Sequence, residues 1–138
     1  MGYTLSVKGK DGDLFLDEDI INSANVDIAT PNNSMAKSTN VVTTLFITGK
    51  LTHDSIIGIS DKDTLKLFKW SLVTAQDTDA YRDVTVKVIS AGRQFRTIHF
   101  PNAFIIDYSE RYSSNAGMGE FSLVIRQKAD KFTDVQAD

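Results

Sequence analysis

The sequence predicts a mainly β domain, an antiparallel two-sheet β-barrel flanked by one α-helix. Three observations carry that prediction. Short runs of β-branched and aromatic residues with period-2 alternation recur from end to end of the 138 residues. One segment alone has helical spacing. Strands follow strands, without the alternation with helices that a parallel βαβ fold requires.

The elements read in order as follows. Tyr3, Leu5 and Val7 alternate with Thr4, Ser6 and Lys8, the pattern of a half-buried strand. Lys10-Asp11-Gly12-Asp13 is turn chemistry, with Leu14 and Leu16 beginning the return. Ile20 to Ala29 predicts a long strand with Ile20, Asn22, Ala24, Val26 and Ile28 on one side. Thr30 to Asn40 is rich in Asn, Ser and Thr, carries Pro31, and reads as a long loop. Val41 to Leu51 resumes as a strand. The helix follows, with Ser60 as N-cap and Asp61 and Asp63 in its first turn. Leu65, Phe68 and Leu72 form its predicted core face, Trp70 and Val73 flank that face, and Lys62, Lys66 and Lys69 take the other side; it ends near Thr74. Tyr81 to Ile89, Phe95 to Phe100, Pro101 to Tyr108 and Phe121 to Arg126 predict four β runs, the first two joined by a turn at Ser90-Ala91-Gly92. Ser109 to Gly119 reads as a polar loop, and Ala129 to Asp138 as a frayed tail on a single domain spanning 1–138.

Composition narrows the function. The chain carries a net charge of −3, with Lys and Arg scattered, which excludes the basic stripe of a sequence-specific nucleic-acid binder. It has no cysteine, hence no disulfide, thiolate nucleophile or thiolate metal site. No apolar stretch reaches the ~20 residues of a membrane helix, and Met1 to Lys8 has no signal-peptide pattern. Folding and assembly in a reducing cytoplasm are the expectation.

The catalytic inventory is empty. Asp11, Asp13, Asp17, Glu18 and Asp19 cluster, but Leu14, Phe15 and Leu16 stand where a calcium loop needs oxygen ligands, so the stretch reads as a hairpin with solvated acids. His53 and His99 have no partners at metal-ligand or triad spacing. No Gly-x-Ser-x-Gly, Gly-x-Gly-x-x-Gly or phosphate loop occurs. Trp70 reads as a core or interface anchor. No catalytic, cofactor or metal residue is assigned, and no cofactor.

The apolar pattern points past a monomer. Phe104, Ile106 and Tyr108 alternate with Ala103 and Ile105, and Val84, Val86 and Val88 face away from Ile89. A strand apolar on both faces has to be covered on both, by the helix and loops or by a neighbouring protomer.

The order of these elements resembles a known family. A strand ending Ile47-Thr48-Gly49-Lys50-Leu51 leads to a helix on Leu65-Lys66-Leu67-Phe68-Lys69-Trp70 and a hairpin across Gly92. Then come Phe100-Pro101-Asn102-Ala103-Phe104-Ile105-Ile106-Asp107-Tyr108 and a closing strand Phe121 to Lys128. Together they resemble the haemolysin-coregulated tube proteins of type VI secretion and their relatives, the phage tail tube proteins. Asn102-Ala103-Phe104-Ile105 is the closest local match, and Thr30 to Asn40 falls where that family has an extended loop.

The resemblance implies a non-enzymatic homo-oligomer: a ring, typically of six, stacked into a tube that meets sheath, spike and effector proteins in a secretion apparatus, a contractile injection system or a phage-derived tail. Thr85 and Lys87 are the lumen candidates under that reading. A different class stays open on the residues alone: a small β-barrel binding a ligand or carbohydrate in its interior or on its loops.

Overall fold

The computed structural model describes residues 1–9, 13–30, 41–51, 59–114 and 118–138. Its strands are β1 (Gly2–Lys8), β2 (Leu14–Leu16), β3 (Ile21–Ala29), β4 (Val42–Leu51), β5 (Arg82–Ser90), β6 (Arg93–Ser113), β7 (Met118–Gln127) and β8 (Gln136–Ala137). The helix α1 (Ile59–Ser71) lies between β4 and β5, and 3-10 turns occupy Thr78–Ala80 and Ala129–Asp134. Every ladder is antiparallel, in the order β2-β1-β5-β6-β7-β4-β3, with β8 added to β6.

The mainly β, antiparallel, one-helix class expected from the sequence holds, but the sheet is not a closed barrel. Among the described residues no ladder joins β3 to β1 or β2, although β1 packs against β3 across the core. The sheet bends through β6, whose 21 residues would span roughly 70 Å if straight. Arg93 to Ala103 pairs with β5, and Ala103 to Ser113 pairs with β7. This divides the sheet into a first half, β2-β1-β5-β6, and a second half, β6-β7-β4-β3.

Two of the three register shifts along β6 fall at the bend. Between Val84↔Phe100 and Arg82↔Ala103, Asp83 opposes both Pro101 and Asn102. The prolyl nitrogen, which has no N–H to give a ladder, falls inside that bulge. The sequence reading divided the chain at Pro101; the structure carries one strand through it. At the second bulge Ile105 pairs with Ile125 and Asp107 with Val124, leaving Ile106 as the extra residue. One inserted residue reverses the face of everything after it. Tyr108 therefore joins Ala103 and Ile105 on the core side, instead of sharing a face with Phe104 and Ile106 as the simple alternation predicts.

The core forms between the inner faces of the two halves. Leu5, Val7, Val84, Val86 and Phe100 meet Leu45, Ile47, Phe121, Leu123 and Ile125, all buried. Each such side chain contributes about 1.5–3 kcal/mol of burial. Gly49 makes room for the ring of its cross-strand partner Phe121: a Cβ there would sit 2.5 Å from that ring and 2.8 Å from the Ile20 carbonyl oxygen. The β5–β6 hairpin turns on Ala91 (φ 53°) and Gly92 (φ 77°), two successive left-handed residues that match a type I′ turn and the right-handed strand twist.

The helix sits on its other face. Thr64, Leu67 and Trp70 point inward, and Trp70 Nε1 donates to the Ala80 carbonyl at 3.1 Å. Leu65, Phe68 and Leu72, the predicted core stripe, are 53%, 41% and 68% exposed. The helix also ends at Ser71 and begins at Ile59, one residue ahead of the predicted cap.

Three further expectations change. The polar loop expected over Ser109 to Gly119 is mostly strand, because β6 runs to Ser113 and β7 starts at Met118. The tail is not frayed: the Thr97 and Asp138 backbones exchange N–H···O bonds of 3.0 and 2.8 Å, seating β8 on β6. Ile28, expected on a buried face, lies past the end of the core and is exposed. Ala24 and Val26 of the same face do pack against the core. The turn at 10–12 and most of the loop at 30–40 lie outside the described residues.

Candidate assembly surface

The outward face of the second half-sheet is built from strand register. Leu45 and Ile47 of β4 point into the core, so Phe46, Thr48 and Lys50 point out. Ser23, Thr48, Ser122 and Ser109 then lie in one row across β3, β4, β7 and β6. Within it the Ser23 and Thr48 hydroxyls are 2.5 Å apart. The next row carries Lys50, Glu120 and Arg111, charges of alternating sign directly opposite one another. Thr48, Ser109, Ser122, Arg111 and Glu120 line a cavity of about 430 Å³ together with Gly49 and Phe121. These two rows are polar, with two cations to one anion, and the row on the other side of the hydroxyls carries Phe46, 39% exposed, opposite Val124.

This half-sheet has two open edges. β3 pairs only with β4, and Phe104 to Ser113 of β6 pairs only with β7 among the described residues. Each edge presents unpaired backbone N–H and C=O groups, a ready template for another strand. The first half-sheet differs, since β8 covers β6 at Ile98 and His99.

At the far end of β6, Glu110 accepts hydrogen bonds from two tyrosines, from the Tyr108 hydroxyl at 2.5 Å and from the Tyr112 hydroxyl. Burial, and then that carboxylate, hold the Tyr108 phenol well above its ordinary range. The hydrogen bond to Glu110 raises Tyr112 as well, although its ring is exposed. The Tyr108 ring stacks on Phe121 and meets Phe68 of α1 edge-on, with centroids 6.3 and 6.2 Å apart.

The remaining sequence candidates are placed without forming a reactive centre. His99 Nε2 bonds to Asp83 Oδ1 on the outer face of the first half-sheet. His53 and Asp11 lie outside the described residues. Asp17 Oδ1 accepts from the Asp19 N–H at 3.1 Å, which closes a local turn. Among the described residues no three His, Asp or Glu side chains come together as metal ligands. The space between the halves is filled by Trp70, Phe100, Phe121 and aliphatic side chains of 2% exposure or less. A ligand barrel would keep that space open.

No protein-family model matches the chain, and a comparison with curated proteins finds no match. Solved structures do match. A variant of the Hcp1 protein of E. coli EAEC 042 superposes with a TM-score of 0.61 at 9% identity, covering 100% of this chain and 98% of that one. The chain has the Hcp and tail-tube fold. Hcp1 from Flavobacterium johnsoniae has a TM-score of 0.53 at 16% identity, covering 89% of each chain. A component of the PVC sheath–tube complex, an extracellular contractile injection system in its extended state, has a TM-score of 0.57 at 12% identity, covering 97% of this chain and 87% of that one. The family resemblance read from element order is thus a likeness of fold, at identities too low for local motifs to carry it.

Reasoning from sequence missed two features of this candidate surface. One is the Ser/Thr row, because it is assembled from four strands in register and no two of its members are neighbours in sequence. The other is the Ile106 bulge, for which two adjacent isoleucines give no local sign.

Proposed function

We propose that this chain is a structural subunit of a ring-stacked tube in a contractile injection or type VI-like secretion apparatus, or in a phage-derived tail. The observation that carries the reading is the second half-sheet, with two edges unpaired among the described residues and polar rows across its outer face, on an Hcp-like fold. Joining the edge of β6 on one copy to β3 on the next satisfies both rows of backbone groups. Repeated head-to-tail, such a heterologous contact closes a ring by rotation. The Ser23, Thr48, Ser122 and Ser109 row then lines the lumen, with Lys50, Glu120 and Arg111 beside it.

This places the lumen elsewhere than Thr85 and Lys87. Those residues belong to the first half-sheet, whose β6 edge is occupied by β8. A wall of neutral hydroxyls and charges of mixed sign gives no strong field of one sign to a passing macromolecule.

In this reading residues 1–138 act as one domain without enzymatic activity, cofactor or metal. The ring has six copies and meets sheath, spike and effector proteins. Assembly takes place in the cytoplasm, with export through the apparatus or incorporation into a particle. The structural neighbours support the reading through their names, which are those of tube and secretion proteins. Light scattering coupled to size exclusion, with negative-stain microscopy, tests it. Rings of about six times 15.3 kDa are expected. A strict monomer at high concentration overturns it.

A further inference from the structure

The helix α1 has two apolar stripes, and its own fold buries only one. Thr64, Leu67 and Trp70 take the inner side. Leu65, Phe68 and Leu72, at spacings of three and four, face away from the core at 41–68% exposure. Helical geometry sets exposed Lys69 beside Leu65 and Leu72 on that outer face. A helix apolar on both sides is ordinarily covered on both sides. Leu67, Trp70 and the Lys66 Nζ bond to the Asp13 carbonyl (2.8 Å) pin it to its own sheet. Phe68 meets the Tyr108 ring at one edge, yet it, Leu65 and Leu72 keep 41–68% of their surface exposed, which leaves the stripe open to a groove on another molecule.

A groove of matching chemistry exists on the same chain. It lies between the β2–β3 turn and the β5–β6 hairpin and has a volume of about 700 Å³. Phe15, Met1 and Ile89 give it apolar surface, and Glu18 and Asp19, with Lys87 also in the lining, give it a rim of net negative charge. Phe15 is 51% exposed, an aromatic side chain without cover. The helix offers apolar groups flanked by a cation; the groove offers apolar surface flanked by two carboxylates and one ammonium. Both are surface features of one chain, and they differ from each other, so their contact is head-to-tail and can be repeated by every copy.

We infer that the outer stripe of α1, Leu65, Phe68 and Leu72 with Lys69, docks into the groove of a second copy of this chain, with Lys69 against the Glu18–Asp19 rim. The inference rests on the tube reading and adds to it a second contact between copies besides the strand edges. Shape and apolar area supply the holding energy, and the charge pair fixes orientation and excludes the reversed arrangement.

The test uses the full chain and four variants, Leu65→Ser/Leu72→Ser, Lys69→Glu, Asp19→Lys, and Lys69→Glu/Asp19→Lys combined. The substituted side chains are exposed, so each variant should keep the wild-type melting curve as a monomer. Self-association is followed by light scattering across a dilution series. The serine variant and each single charge reversal are expected to weaken it by about tenfold or more. The combined reversal is expected to restore it, which loss of folding could not do. If the wild type forms oligomers and the serine variant forms them equally well, the docking is refuted and the tube reading stands. A combined reversal no better than the single ones refutes the pairing of Lys69 with the rim. A monomeric wild type overturns both readings. Vesicles of phosphatidylcholine with phosphatidylserine give the other outcome: binding that needs Leu65 and Leu72, with self-association unchanged, would assign the stripe to a membrane surface instead.

Discussion

Removing the Asp79 carboxylate should unfold this protein more readily than any exposed substitution. Asp79 and Arg82 are 4% and 8% exposed, and the Arg82 Nη2 donates to Asp79 Oδ2 at 2.5 Å. Arg82 Nε also donates to the Asp79 carbonyl at 3.1 Å, and the guanidinium lies 5.1 Å from the Trp70 ring centroid. Asp77 caps the 3-10 turn by accepting from the Asp79 N–H at 2.9 Å. The cluster thus ties the helix, through Trp70, to the start of β5. Asp79→Ala leaves a buried guanidinium without its counter-charge, a loss of about 3–5 kcal/mol. Against a total stability of about 5–15 kcal/mol this is a large fraction. For a chain of 138 residues it lowers Tm by roughly 10–15 °C. Trp70 is the only tryptophan, so its fluorescence in a urea titration reports the transition from inside the cluster. Replacing both charges by apolar groups, Asp79→Leu with Arg82→Met, should cost less than Asp79→Ala alone, because no charge is then stranded. A midpoint for Asp79→Ala within about 1 kcal/mol of wild type would refute this reasoning, as would a double variant weaker than the single.

Gly49→Ala puts a methyl 2.5 Å from Phe121 and 2.8 Å from the fixed Ile20 carbonyl, so a loss of about 1–3 kcal/mol in a denaturant melt is expected. Ala91→Asn should stabilise by about 0.5–1 kcal/mol, since Ala91 holds φ 53° in a turn where asparagine followed by glycine is favoured. Tyr108 keeps its proton in the fold and loses it more easily when unfolded. Its contribution to stability is therefore complete below the ordinary phenol range near pH ~10 and is lost as pH rises towards the raised folded value. An alkaline melting series should show this loss shrink in Tyr108→Phe. Ile106→Asp, at a bulge position 39% exposed, should leave the melting midpoint within about 1 kcal/mol of wild type while abolishing oligomers seen by light scattering.

Strand existence was legible in the sequence because the core is built from simple alternation: Leu5 and Val7, Val84 and Val86, Leu45 and Ile47 each repeat at two residues and are buried. Alternation fails wherever a residue is inserted. At Ile106 the period continues unbroken on paper, yet the bulge sends Tyr108 to the core and Asp107 to the outer face. The helix was legible as a helix but not in its orientation. Its two stripes, Leu65-Phe68-Leu72 and Thr64-Leu67-Trp70, both satisfy helical spacing, and the first is the more hydrophobic. The structure seats the second because the large Trp70 ring fits under Arg82 and its N–H finds the Ala80 carbonyl. Neither partner lies within a helical turn of Trp70. The candidate surface was least legible, since its row of hydroxyls depends on the registers of three ladders.

The distribution of protected and unprotected edges argues for where copies meet. A monomeric β protein blunts its edges with short strands, charges or covering segments. This chain does so selectively. On the first half-sheet β2 has only three residues, and β8 covers part of β6. On the second half-sheet the nine residues of β3 and the stretch 104–113 of β6 stay open at opposite sides of the same four strands. Among the described residues both long edges of one half stay uncovered while those of the other are short or covered, an arrangement costly for a solitary molecule and useful for one whose neighbours supply the missing strands. Tilting and stagger let a row of such half-sheets close into a larger barrel. The hydroxyl face then becomes its interior, and the helix, on the opposite side of the core, remains available for a second contact.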